Sequence, residues 1–151
     1  MTKTGKEIER DVFTLLKSSL IVTGRGVIGA VDRVDGINGG VYRSGQRPRD
    51  SKLEDMVVIF TTATSSQFQE GVVTLNIYVP DIYPYNDGVP RENGLRCEQL
   101  ERLAQDSVDA LTADLSDYLF SVEPSRVIHT QREEEIHQSF VVVPLFFRFI
   151  H

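Results

Sequence analysis

The residues best suited to chemistry are few, and they are scattered along the chain. Thr23-Gly24-Arg25-Gly26-Val27-Ile28-Gly29 carries the spacing G-x-G-x-x-G. In a dinucleotide site that turn joins a strand to a helix, so that the pyrophosphate meets the helix N–H groups. Here a helical stripe precedes the turn, and the glycines and β-branched residues after it do not read as a helix. The motif therefore reads as a glycine-containing loop. Of the three histidines, His129 and His137 fall on two neighbouring predicted strands, with Glu133, Glu134 and Glu135 between them, and His151 ends the sequence. Imidazole and carboxylate together suit zinc or iron. Neither H-x-x-H nor H-E-x-x-H spacing occurs, so the expectation is a turn with solvated acids and no metal. Cys97 is the one cysteine. It cannot form an internal disulfide, and nothing about it points to an oxidising compartment. It reads as a small half-buried side chain rather than a nucleophile. The serines have no elbow context that would supply an oriented base. The expectation is a protein that is not an enzyme and uses no cofactor.

One charged cluster stands out. Arg43, Arg47, Arg49 and Lys52 lie close together, flanked by Asp50, Glu54 and Asp55. Local salt bridges are the plainer account, and a site facing an acidic partner is the sharper one. The net charge of −6 and sequence pI of about 5.0 argue against nucleic-acid binding through the surface as a whole.

These groups need elements to hold them. The 151 residues, 40% apolar and 25% charged, suit one domain spanning 1–151. The N-terminus lacks the apolar core of a signal peptide, and no apolar run is long enough to span a membrane as a helix. Ile8, Val12, Leu15, Leu16 and Leu20 form one stripe of a helix over 5–20, with Thr4 and Glu7 spaced as a capping box. Residues 27–55 read as an extended arm or hairpin with a long loop. It includes strand-like stretches at Val27–Val31 and Val41–Arg43. Residues 56–61 are a strand, 62–69 a polar connection, and 70–79 an alternating strand. Residues 80–93 are a proline-rich loop displaying Tyr83 and Tyr85. A stripe from Leu100 through Leu119 predicts one long helix over 94–120. Residues 126–132 and 138–150 pair as a last hairpin. The fold class is α+β: a mostly antiparallel sheet carrying an N-terminal helix and one long helix, plus the arm.

The last strand is the most informative element. Val141, Val143, Leu145, Phe147 and Phe149 share one face; Phe140, Val142 and Phe146 share the other. A strand apolar on both sides needs cover on both faces of its sheet. Two helices can cover one face. The other requires the arm, a curled sheet, or a second subunit, since exposed apolar surface marks an interface. Pro144 cannot donate to a ladder and predicts a bulge or an edge. Candidate interface residues are therefore Arg43, Arg47, Arg49 and Lys52 in the basic loop, and Phe140, Val142, Phe146 and Phe147 in the strand.

The order of elements resembles the tail-completion (tail-terminator, head–tail joining) proteins of bacteriophages and prophages. The matching pieces are the Ile8–Leu20 helix and Gly39-Gly40-Val41-Tyr42-Arg43 followed by Arg47-Pro48. They continue with Asp55-Met56-Val57-Val58-Ile59, Gly71 to Val79, the 94–120 helix and Ile136 to Val143. The loop at 80–93 is longer than the connection that pattern carries. The resemblance implies a structural subunit that performs no chemistry and joins itself in a ring and other tail or neck proteins. It implies a location in the host cytoplasm during assembly and then in the virion. The basic loop would meet an acidic neighbour or line a channel through which DNA passes, so DNA contact would be at most indirect. The alternatives are a small-ligand-binding or enzymatic α+β domain and a protein-binding adaptor.

Overall fold

The computed structural model of the chain describes residues 2–25, 33–65, 67–111 and 117–149. Helix α1 runs Gly5–Leu16. Its start is fixed by the capping box, in which the Thr4 amide donates to Glu7 Oε1 at 2.9 Å. It stops four residues short of the predicted Leu20 because Ser19 competes for the backbone. The Ser19 hydroxyl and amide both donate to the Leu16 carbonyl, at 2.6 and 3.1 Å. A short helix α2, Leu20–Thr23, follows and ends at Gly24, whose φ of 82° favours glycine. Arg25 then bridges Val34 in antiparallel fashion. The expected strand at Val27–Val31 and most of the glycine motif lie outside the described residues.

Six strands form one sheet: β1 Val41–Arg43, β2 Met56–Ser65, β3 Gln69–Pro80, β4 Tyr118–Val122, β5 His129–Glu133 and β6 Gln138–Phe149. The order is β1-β2-β3-β6, with β4 and β5 both on the far side of β6. Only β1 and β2 run parallel. The polar connection expected at 62–69 is mostly strand. Thr61, Thr62 and Thr64 are β-branched, a bulge between Phe60 and Thr62 absorbs the register shift, and Ser65 still pairs with Gln69.

The long helix is shorter than its stripe predicts. Helix α3 spans Gly94–Leu111 and buries Leu100, Leu103, Ala104, Val108 and Leu111. Residues 112–116 lie outside the described part, and beyond them the chain is strand β4. The period changes there from helical to two. Tyr118, Phe120 and Val122 register with Phe149, Phe147 and Leu145 of β6, while Leu119 between them is 47% exposed.

Pro144 lies neither at an edge nor at a bulge. It pairs with Thr74 in the middle of β6, at the gap between the stretch covered by β5 and the stretch covered by β4. Its carbonyl accepts from the Glu123 amide at 2.8 Å. In an antiparallel strand a residue's N–H and C=O point to the same side. The N–H that proline lacks would therefore have pointed at the handover between β5 and β4, and the ladder with β3 loses nothing.

The helices cover one face of the sheet. Val73, Leu75, Ile77 and Val79 of β3 and Val141, Val143, Leu145, Phe147 and Phe149 of β6 form a core with Ile8, Val12 and Leu16 of α1 and Leu100, Leu103 and Ala104 of α3. Phe147 is fully buried opposite Gly71. A Cβ at Gly71 would come within 2.1 Å of the Thr62 carbonyl oxygen, so the bulged strand closes only on glycine there. The other face, with Val72, Tyr78, Phe140, Val142 and Phe146, stays half-exposed.

Candidate interaction surface

The basic loop divides into two pairs. Arg47 is drawn inward: its Nε donates to Asp55 Oδ2 at 2.8 Å and its Nη2 to Gln138 Oε1 at 2.9 Å. Its guanidinium lies 4.0 Å from the centre of the Tyr78 ring, so this part of the arm covers one end of the second sheet face. Arg43 Nε donates to Glu9 Oε1 at 3.0 Å, and Glu9 is itself buried. These two arginines are fastened to the chain's own acids, and their guanidinia are largely committed. Arg49 and Lys52 are exposed and make no ion pair with any described residue. Phe147, grouped in the sequence with the candidate interface residues, belongs wholly to the helix-covered core. Phe140, Val142 and Phe146 lie on the half-exposed face.

Two adjacent carboxylates make the arm an ordered structure. Asp55 is fully buried and accepts from the Gly40 amide at 2.9 Å, from Arg47 and from the Ser51 hydroxyl. Burial alone would raise its pKa. The hydrogen bonds from Ser51, Gly40 and Arg47 outweigh that and hold it below the ordinary carboxylate range. A Cβ on Gly39 would sit 2.1 Å from Asp55 Oδ1. Glu54 instead receives both Nε and Nη2 of Arg96, at 2.7 and 2.8 Å, a two-point guanidinium–carboxylate pair. Arg96 also donates to the Gly36 carbonyl at 2.9 Å, and its pKa is raised chiefly by the Glu54 contact. Asn38 exchanges hydrogen bonds with Glu54, donating its amide and accepting the Glu54 N–H at 2.8 Å. The local salt bridge anticipated for Asp55 is present. Arg96 as the partner of Glu54 had no sequence signal, because the two lie far apart along the chain.

The loop between β3 and α3 is tied at its base. Ile82 and Arg91 exchange backbone hydrogen bonds at 2.9 and 2.8 Å, and the Asp81 amide donates to the His137 carbonyl at 3.1 Å. Arg132 holds the Asp81 carboxylate through two guanidinium nitrogens, at 2.6 and 3.0 Å. Above this base Tyr83 and Tyr85 are each 64% exposed. Ile82, Val89, Leu53 and Ile136 add exposed apolar surface at the same end of the sheet. Arg91 stacks on Tyr85, 5.1 Å from the ring centre. Exposed tyrosine, aliphatic and arginine side chains are the composition of a protein-contact surface.

Elsewhere a groove of about 680 Å³ lies between α3 and residues 122–128, lined by Glu98, Glu101, Arg102, Gln105, Glu123, Arg126, Val127 and Ile128. Its charges are mixed, and Glu101 is occupied by the Thr130 hydroxyl at 2.6 Å. The lining brings no nucleophile to a base. Cys97 is buried, and desolvation together with Glu92 pushes its thiol up to about 11, so it stays protonated at neutral pH. At the other end of the sheet Tyr118 donates to Asp11 at 2.7 Å, and the Lys3 ammonium packs on the Phe149 ring, 4.6 Å from its centre. Burial and Asp11 hold the Tyr118 phenol far above its ordinary value, so it acts as a structural donor.

His129 opens β5, and His137 sits in the left-handed conformation (φ 54°) that ends the turn before β6. His151 lies outside the described residues. No group of three His, Cys, Asp or Glu side chains able to hold a metal gathers among the described residues. None of the described helices is long and apolar enough to cross a membrane. No protein-family model matches the chain, and no curated protein matches it either.

Proposed function

We propose that this chain is a structural assembly subunit of a phage or prophage tail or neck, acting in tail completion or head–tail joining by binding further copies of itself and neighbouring tail proteins. The observation that carries the reading is the surface at the β3–α3 end of the sheet. It combines Tyr83, Tyr85, Ile82, Val89 and Leu53, all exposed, with the exposed Arg49 and Lys52 of the arm, which make no ion pair with any described residue. The loops that bear these side chains are held by buried ion pairs, so the surface is pre-ordered for docking and little ordering entropy is lost on binding. The order of elements that resembles the tail-completion proteins supplies the biological setting. That setting would be the host cytoplasm during assembly and then the virion, with any DNA contact indirect.

The test adds the purified protein to tail tubes isolated from a tailed phage strain that lacks its own terminator. Negative-stain microscopy and light scattering are the readouts. A discrete ring, alone or on tube ends, is expected. A chain that stays monomeric alone and leaves tube ends bare overturns the reading.

The α3 groove favours a second reading, a small-ligand-binding domain. Saturable binding of a small acid or base, abolished by Arg102→Ala with Arg126→Ala, would establish it.

A further inference from the structure

Past β1, the outer edge of β2 carries no charged side chain. Strand β1 pairs only with Met56, Val57 and Val58 of β2. The outer side of Ile59–Ser65 faces no strand among the described residues. Thr61, Thr62, Thr64 and Ser65 are exposed, so the backbone there is open to solvent. A strand edge of this kind is a template for pairing with another chain, and proteins that must stay apart place lysine, proline or inward charges on it. Ile59-Phe60-Thr61-Thr62-Ala63-Thr64-Ser65 has no lysine, proline or charged side chain, and the bulge between Phe60 and Thr62 is the one irregularity along it. It is uncharged and rich in β-branched residues. Beside it, where β1 ends, a recess of about 260 Å³ lined by Gly5, Lys6, Glu9, Ser44, Ile59 and Phe60 leaves room along the edge.

We infer that this edge pairs antiparallel with the same edge of a second copy, about a two-fold axis near Thr62, to make one continuous sheet across two subunits. Charge points to a second copy. The chain carries a net charge of −6, and this strip lets two copies meet without setting like charges against each other. The strip is also self-complementary, because facing threonines across an antiparallel pair hydrogen-bond and pack, and an isologous two-fold contact is the commonest way for identical chains to meet. Thr62 and Thr64 register with Val72 and Glu70, on the half-exposed face of the sheet. The junction would thus extend that face across both subunits and leave the loop-end surface free. The inference does not rest on the tail reading.

The test uses the full chain in sedimentation equilibrium over a wide concentration range, beside Thr62→Lys and Thr64→Lys. Both substitutions fall at exposed positions; Thr62→Lys sets like charges face to face at the axis, and Thr64→Lys places a cation opposite Phe60 of the second copy, where it must be desolvated. A dimer is expected for the parent, with at least a tenfold weakening in each variant and unchanged thermal melting. In a Cys97→Ala background, Thr62→Cys should give a disulfide-linked dimer on mild oxidation, and a cysteine at the exposed Glu98 should not. A parent that stays monomeric at every concentration overturns the inference. So does a dimer that both lysine variants leave intact, or one that cross-links as readily through position 98.

Discussion

The two faces of β6 are nearly equal in apolar content and opposite in fate. Phe146 and Phe147 are neighbours with the same side chain, yet Phe147 is fully buried beneath the helices and Phe146 stands half-exposed beside Val72 on the far side. One face is a core. The other is half-exposed: Arg47 lies over Tyr78 at one end, and Glu123, Ser125 and Arg126 border Val72 and Phe146 towards the other. Hydrophobicity sets how much surface wants cover, and the helices' position decides which side gets it. The remainder stays half-exposed.

The sharpest way to break this comparison is to truncate the two phenylalanines separately. Phe147→Ala removes a ring from a packed layer that includes Tyr118, 6.1 Å away centre to centre, and should cost about 3–5 kcal/mol in urea unfolding. A loss under about 1 kcal/mol would mean that this face repacks freely, and the distinction between the faces would fall.

The second largest effect is expected at Asp55, which ties the arm over the end of the second face. Asp55→Asn leaves Arg47, 13% exposed in its side chain, without its anionic partner, and breaking one half of a buried pair costs about 3–5 kcal/mol. Because Gln138 also holds Arg47, the lower end of that range is expected. The variant should also speed hydrogen exchange at the Gly40 amide, which donates to Asp55. Unchanged exchange there would show that the arm is held by Glu54 and Arg96 alone.

How much of this was legible beforehand follows from where each signal resides. Periodicity found α1, β3 and β6 and sorted the two faces of β6 correctly, because a two-residue or helical repeat is local information. It overran α3 into β4. The stripe of leucines continues through Leu119 in the sequence, but Tyr118 and Phe120 obey the strand period, and only their partners Phe149 and Phe147 show which period governs. Pro144 misled for the same reason, since whether a missing N–H matters depends on which strand lies opposite. Within the candidate surface, the basic loop was visible as composition. That Arg43 and Arg47 are committed internally, while Arg49 and Lys52 are not, depends on Glu9 and Asp55 arriving from elsewhere in the fold.

Acid should act through the same tie. Asp55 has a folded pKa below its ordinary 3.8, and so does Asp11, where burial is outweighed by contacts from Lys3 and Tyr118. For a depressed carboxylate the folded form binds its proton less readily than the unfolded chain does. The stabilisation is therefore complete above the ordinary value and is lost as the pH falls through the lowered folded value. Unfolding free energy should drop between about pH 5 and pH 2, and Asp55→Asn should make that slope shallower. A variant with the parent's slope would show that Asp55 contributes nothing to the acid transition.

The smallest effect on stability is expected at Phe146, and it separates surface from core most cleanly. A half-exposed ring gives up only part of the apolar burial of a core ring, so Phe146→Ala should cost about 1 kcal/mol. Phe146→Asp should cost little more, since the carboxylate can reach water. If the second face is a docking surface, that mild change in the monomer should nevertheless abolish higher assembly, because a charge at a contact otherwise formed by Val72 and Val142 must be desolvated on association. Light scattering beside urea unfolding of the same variant reads both quantities. A Phe146→Asp protein that folds and assembles like the parent would leave Phe146 without a part in assembly, and the search for the partner surface would move to the Tyr83–Tyr85 end.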